Sequence, residues 1–184
     1  MNGLRTNIVV LDTETGGLNP LQHSIMTIGL VDWTGTRTLD LTVAEAVIHT
    51  NPRSLLVNGL DPAQVAAEGL SPVDACATID AWLLELDHPV MIAGHNVAFD
   101  MAFMRRLYDQ AGLPVPNAFS HRTLDTHTLL YALAIAGKVP TDARSSDGAF
   151  AHFGVAPPEA LRHTALGDAL ATRDLLERLL DLCD

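Results

Sequence analysis

The sequence predicts an α/β fold: a mixed sheet with helices on both faces. Three observations carry this. The first apolar runs are short, rich in β-branched residues and end at turn signals. They follow one another as a meander before any helical spacing begins. Beyond them, strand-like runs alternate with helical patterns, the order that lays helices over both faces of a sheet. The 184 residues are 48% hydrophobic and 18% charged. That suffices for one domain with its own core, spanning 1–184.

Taken in order, residues 8–11 form an apolar run ending in an acidic cluster, a buried strand. Residues 24–33 form a second run, Thr34-Gly35-Thr36 a turn, and residues 37–49 a partly alternating third stretch. Asn51-Pro52 reads as the break that ends this sheet region. Asp61-Pro62 and Ser71-Pro72 each pair an N-cap residue with proline at the first helical position, opening one helix to about residue 68 and a longer one. Val73, Cys76, Ile79, Leu83 and Leu86 have the spacing of that longer helix's inner face. A strand at 89–93 ends at Gly94, and Asn96 reads as the cap of a helix to about residue 110. Residues 113–117 form a proline-bearing loop, 122–124 a brief strand and 126–136 a helix. Residues 140–146 read as a mobile polar loop, 147–153 as a short helix and 165–182 as the last helix, with Leu170, Leu175, Leu176 and Leu179 inward.

Composition excludes several classes of function. Eleven basic residues against 22 acidic ones give a net charge of −11, and Lys138 is the only lysine. Binding a long duplex through many phosphate contacts needs far more Lys and Arg. No apolar run approaches the roughly 18 residues of a membrane span. Residues 1–5 lead straight into a strand pattern, so no signal peptide is expected. Cys76 and Cys183 cannot build a disulfide framework and neither lies in a C-x-x-C pair, which suits a reducing, cytoplasmic setting.

The acidic residues are the informative ones. Asp12 and Glu14, two apart at a strand end, point to the same face, where like charges repel unless a cation lies between them. Thr13, Thr15, Gly16 and Gly17 make the exit polar and glycine-rich, so backbone can approach a ligand. Asp100 falls in the first turn of a helix, where the helix dipole favours a carboxylate with or without a ligand. Asp168 stands near the start of the last helix, with His163 five residues before it. Asp125 reads as a helix cap. Together the four carboxylates Asp12, Glu14, Asp100 and Asp168 are the oxygen donor set of hard divalent ions, Mg²⁺ or Mn²⁺.

These residues carry a family resemblance. Asp12-Thr13-Glu14-Thr15-Gly16-Gly17-Leu18, Gly94-His95-Asn96-Val97-Ala98-Phe99-Asp100 and His163-Thr164-Ala165-Leu166-Gly167-Asp168 resemble, in order, the three motifs of the DEDD exonuclease superfamily in its histidine-bearing form. Within that group the chain resembles the proofreading exonuclease subunits of bacterial DNA polymerase III and, more loosely, the ribonuclease T enzymes. Leu56-Val57-Asn58-Gly59-Leu60, Leu124-Asp125-Thr126 and Ser145-Ser146-Asp147 fall where the family has related residues. Two departures touch substrate preference: Thr27 stands where many relatives have glutamate, and Asn58 where many have histidine.

The resemblance implies a ribonuclease H-like fold with a five-stranded mixed sheet. It implies a 3′→5′ exonuclease releasing 5′-mononucleotides from single-stranded ends, DNA favoured over RNA, with two divalent ions. Asp12, Glu14, Asp100 and Asp168 would be the metal ligands and His163 the base that takes the proton from water. Thr15, Gly17 and Leu18 would hold the terminal nucleotide, while Asn96 either contacts substrate or only caps its helix. Arg105, Arg106, Arg122, Arg144 and Arg162 could line a groove. The polymerase-binding tail of the proofreading subunits is not expected in the 16 residues after Asp168. An exoribonuclease or short-oligonucleotide hydrolase, and a non-catalytic nucleic-acid-binding or adaptor domain, are the competing readings.

Overall fold

Residues 8–15 alternate between two apolar environments, which fixes them as a strand buried on both faces. In the computed structural model, which describes residues 7–86, 90–119 and 121–182, this strand is β1 (Ile8–Thr15). Its Val9 and Leu11 enter one core cluster, and Ile8 and Val10 another on the opposite face. β2 (Ile25–Asp32) pairs antiparallel with β1, and β3 (Thr38–Thr42) antiparallel with β2. On the other side β4 (Met91–Gly94) and β5 (Thr123–Asp125) run parallel to β1, giving a mixed sheet of order β3-β2-β1-β4-β5. The sheet is thus the expected five-stranded one, with β1 at its centre. The start of the expected strand at 89 and Cys183 lie outside the described residues.

The described residues hold seven α-helices. Three successive ones open identically, on a capping side chain followed by proline. They are α1 (Pro52–Asn58) capped by Asn51, α2 (Pro62–Glu68) by Asp61 and α3 (Pro72–Leu84) by Ser71. Asn51-Pro52 therefore starts a helix rather than merely ending a sheet. Its Oδ1 accepts the Ser54 N–H at 2.9 Å, and Gly59, at φ +67°, closes the helix. In α3 the inner face is Cys76, Ile79, Trp82 and Leu83; Val73 is 52% exposed, against expectation, while Ala75 takes the buried position in the first turn.

α3 and α4 (Ala98–Ala111) cover one face with Met101, Phe103, Met104 and Leu107. α5 (Thr126–Ile135), α6 (Ser146–Phe153) and α7 (Ala165–Asp181) build the other, where Leu130, Phe150, Leu175 and Leu179 meet. The polar stretch 140–146 carries local structure: Thr141–Arg144 form a 3-10 turn, and Ser145 caps α6 through the Gly148 N–H at 3.2 Å. β3 stops at Thr42, short of the expected 49, because Glu45 turns inward. It accepts two hydrogen bonds from Arg106 at 2.7 and 2.8 Å and the Ile25 N–H at 3.1 Å. Arg106 is therefore a strut between α4 and this loop, not a groove cation. Among the described residues no helix is long and apolar enough to cross a membrane.

Candidate active site

Three elements bring the expected carboxylates together. β1 presents Asp12 and Glu14 on the face that α7 covers. Asp100 and Asp168 each stand in the first turn of a helix, α4 and α7, and both are buried. The approach of α7 depends on a missing side chain. Gly29 is the register partner of Asp12, and a Cβ on it would lie 2.4 Å from the Ala165 backbone. Thr164 caps α7 through the Gly167 N–H at 3.1 Å. His163, just outside that cap, is held at φ +62°, a left-handed conformation that non-glycine residues seldom adopt. The ligand atoms of Glu14, His163 and Asp168 all lie within 4.8 Å of one another. Asp100 Oδ1 accepts the Thr13 hydroxyl at 2.7 Å, tying α4 to β1.

The electrostatics of this cluster all point one way. Burial, followed by the charges of Asp100, Glu14 and Asp168, raises the Asp12 carboxyl well above the ordinary range. Glu14 is pushed up to about 8 by burial and Asp168, against a lowering hydrogen bond from Asn58. Asp100 rises to about 7 through burial, opposed by the Thr13 hydroxyl. Asp168 is also raised by burial, opposed by Arg162. Four carboxylates crowded into one buried pocket cannot all ionise comfortably without added positive charge. Arg162 supplies some: its guanidinium bonds Asp168 Oδ2 and Asp147, and sits 5.2 Å from the Phe150 ring centroid. Asp168 Oδ1 remains buried with no hydrogen-bond partner. An orphaned carboxylate oxygen beside Glu14 and His163 is the donor set a divalent cation takes, so these residues fit such an ion.

Beside the carboxylates lies a cleft of about 370 Å³. Thr15 and Leu18, both expected at the substrate end, line it; Leu18 is 81% exposed. The Thr15 hydroxyl donates to the Gly17 carbonyl at 2.8 Å, and a Cβ on Gly17 would lie 2.4 Å from the His23 ring, so only glycine fits this turn. Phe99 both lines the cleft and packs on Phe103, with ring centroids 5.0 Å apart. The unexpected contribution is α1, which supplies Arg53, Ser54, Val57 and Asn58 to the wall. Its signal was the same cap-and-proline pair that marks α2 and α3. Asn58 donates to the Thr15 carbonyl at 3.2 Å.

Asn96 corrects another expectation. It adopts φ +57°, and α4 starts beyond it with Val97 at the cap position and no side-chain cap. Asparagine tolerates this left-handed conformation better than most residues. Instead its backbone N–H donates to Asp125 Oδ1 at 2.9 Å, and the same carboxylate oxygen caps α5 through His127 N–H at 3.0 Å. A larger groove of about 620 Å³, between α3 and the proline loop, carries none of the clustered carboxylates.

The family model described as exonuclease (RNase_T) matches residues 9–176. The chain belongs to the exonuclease family. It is 30% identical over 181 residues to a DNA polymerase III subunit epsilon-like protein of Rhodobacter capsulatus, covering 96% of this chain and 24% of that protein. It therefore spans about a quarter of that relative's length. It is 29% identical to the 3′-5′ DNA exonuclease Cap18 of Escherichia coli over 178 residues, covering 94% of this chain and 90% of that one. Ribonuclease T of Shewanella oneidensis is 25% identical over 164 residues, 77% of this chain and 74% of that protein. Among solved structures, E. coli exonuclease I in complex with a dT13 oligonucleotide superposes with a TM-score of 0.76 at 18% identity, over 95% of this chain and 42% of that one. That likeness establishes the ribonuclease H-like fold.

Proposed function

We propose that the chain hydrolyses single-stranded DNA from its 3′ end, releasing 5′-mononucleotides with the help of two divalent ions. The observation that carries this reading is the clustering of Asp12, Glu14, Asp100 and Asp168, all four carboxyls raised, with His163 beside Glu14 and Asp168 and with Glu14 lining the adjoining cleft. Glu14, Asp168 and Asp12 would hold one ion, and Asp12 with Asp100 the other. Bound there, divalent ions acidify water and stabilise the leaving 3′-oxygen. Four carboxylates and two dications sum to roughly zero charge, so a phosphodiester can enter.

The protein's own groups do the rest. His163, held on its strained turn beside Glu14 and Asp168, takes the proton from the attacking water, a task suited to an imidazole near neutral pH. Thr15 and Gly17 offer polar backbone to the terminal sugar, and Leu18 with Phe99 packs on the terminal base. DNA is favoured by the resemblance to Cap18, whereas the ribonuclease T relatives favour RNA as the second reading.

Oligonucleotides of DNA and RNA, labelled at the 5′ or the 3′ end, test this with and without Mg²⁺. Mononucleotides should be released stepwise from the 3′ end only when the metal is present, and faster from DNA. Rapid cleavage of circular single-stranded DNA would contradict it, because a circle has no end. Faster loss of RNA would move the assignment to an exoribonuclease.

A further inference from the structure

A line of flat side chains leaves the carboxylates along α5. It begins at His95, in the turn that leads to Asp100. The His95 and His127 ring centroids lie 5.3 Å apart, and His127 meets Tyr131 edge-on at 4.9 Å. The guanidinium carbon of Arg144, from the 3-10 turn before α6, lies 4.7 Å from the Tyr131 centroid. His127, Tyr131 and Ile135 follow one another at intervals of four, so they share one face of α5. That face is open to solvent: Tyr131 is 41% exposed and Ile135 85%.

The two ends of the line differ in character. The inner end is pinned. His95 Nδ1 lies 3.1 Å from Thr126 Oγ1, and the Asp125 carboxylate binds the backbone on both sides of the turn, at Asn96 and His127. The outer end is charged. Arg144 donates its Nε–H to the Thr141 carbonyl at 2.6 Å and has no carboxylate partner among the described residues. Arg37, Arg106, Arg162 and Arg173 are all in ion pairs. In a chain of net charge −11, an unpaired arginine beside an exposed ring is the place for an anion to meet.

We propose that this line is a track for single-stranded nucleic acid, holding the nucleotides on the 5′ side of the scissile bond: bases pack on His127 and Tyr131, and a backbone phosphate meets Arg144. The proposal rests on the exonuclease reading and adds the course of the strand beyond the active site. Rings that end at a cation match what a single strand offers, since every base has a π-face and every link a phosphate. An apolar protein partner would satisfy Ile135 but would bury the Arg144 charge unpaired, at a cost. The track also begins where it should. The cleft for the terminal nucleotide is built on the end of β1 and α1, whereas His95 follows β4, the strand next to β1 in the sheet.

The test compares affinities for a twelve-nucleotide oligothymidylate and for a dinucleotide, in a full-length His163→Ala background with Mg²⁺. The dinucleotide spans only the scissile bond, so the ratio of the two affinities reports the track. Tyr131→Ala should lower that ratio about 5- to 20-fold, the loss of one base stack. Tyr131→Phe, which keeps the ring, should leave it at the parent value. Arg144→Gln should flatten the salt dependence of twelve-mer binding by a slope of about 0.7, one phosphate. An unchanged ratio in Tyr131→Ala, with a parent-like melting curve, overturns the track. Degradation assays with His163 intact separate the two ideas. A chain that degrades DNA while Tyr131→Ala leaves the ratio unchanged retains the exonuclease and loses the track. A chain that binds through Tyr131 yet degrades nothing retains the track and loses the exonuclease.

Discussion

Asp168 keeps one carboxylate oxygen against Arg162 and the other buried with no partner. Asp12 is hemmed in by three like charges. Residues in that state serve a ligand at the expense of the fold. Asp12→Ala or Asp168→Ala should therefore lower the hydrolysis rate by on the order of 10³-fold or more, as expected when one member of a catalytic unit is lost. The metal-free melting temperature should hold or rise, because a repulsive charge has gone. Mn²⁺ should raise Tm in the parent and do so less in either variant; near-parental activity would remove these residues from the site. The raised carboxyls make a second prediction. Glu14, ordinarily near 4.5, is raised to about 8 and Asp100, ordinarily near 3.8, to about 7. Between those limits the folded chain binds protons that the unfolded chain has released. Metal-free stability should then be greatest below about pH 3.8 as far as these groups are concerned, and should fall as pH rises towards 8. Divalent metal should flatten or reverse that fall. Thermal melts in EDTA and in Mg²⁺ across pH 5 to 8.5 check it, and a metal-free Tm rising through this range would refute the assigned direction.

At the scale of elements, the site exists because α7 lies directly on β2 at Gly29. Gly29→Val should push the start of α7 away from β1, because the atom it would strike at 2.4 Å is backbone and cannot swing aside. Overpacking of this kind costs about 1–3 kcal/mol, readable by urea denaturation. Activity should fall further than stability, since Asp168 and His163 move relative to Asp12. A stable variant with unchanged kcat would show that α7 is placed by other contacts. Much of this architecture was legible in the sequence. The β1 run, the cap-and-proline starts of α2 and α3 and the carboxylate spacings are local signals, and each dictates its element alone. What was hidden is what depends on partners far along the chain. α1 was concealed by reading Asn51-Pro52 as a break, although its proline occupies the one helical position where it is welcome. β3 ends early because Glu45 finds Arg106, 61 residues away. Asn96 does not cap because α4 starts beyond it, at Val97, and on α3 Trp82 joins the inner face while Val73 stays exposed. Of the candidate site, the four carboxylates and His163 were legible as a pattern; Arg162 and Asn58 stood out in the sequence but not their contacts with Asp168 and Thr15, and the α5 ring line became visible only when folded.

For the whole molecule the governing quantity is charge. With a net charge of −11, the protein repels a polyanion at long range and must hold one by few contacts. Among the described residues Arg53, in the cleft wall, and Arg144, at the end of the α5 line, are the arginines without a carboxylate partner that border the site. Arg106 and Arg162 are already neutralised. Each phosphate neutralised on a single strand contributes a slope of about −0.7 to the dependence of log affinity on log salt, so two arginines with some help from metal give roughly −1.5 to −2. Affinity should rise with oligonucleotide length until the strand reaches Arg144 and then stay level, because beyond that point the acidic surface offers a phosphate nothing. Titrating a His163→Ala variant with oligonucleotides of increasing length, at several KCl concentrations and fixed Mg²⁺, measures both quantities. A steep slope, or affinity still climbing at long lengths, would mean that a second copy of the chain completes a basic groove. The enzyme would then be one that follows long strands rather than one that trims ends held over a few nucleotides.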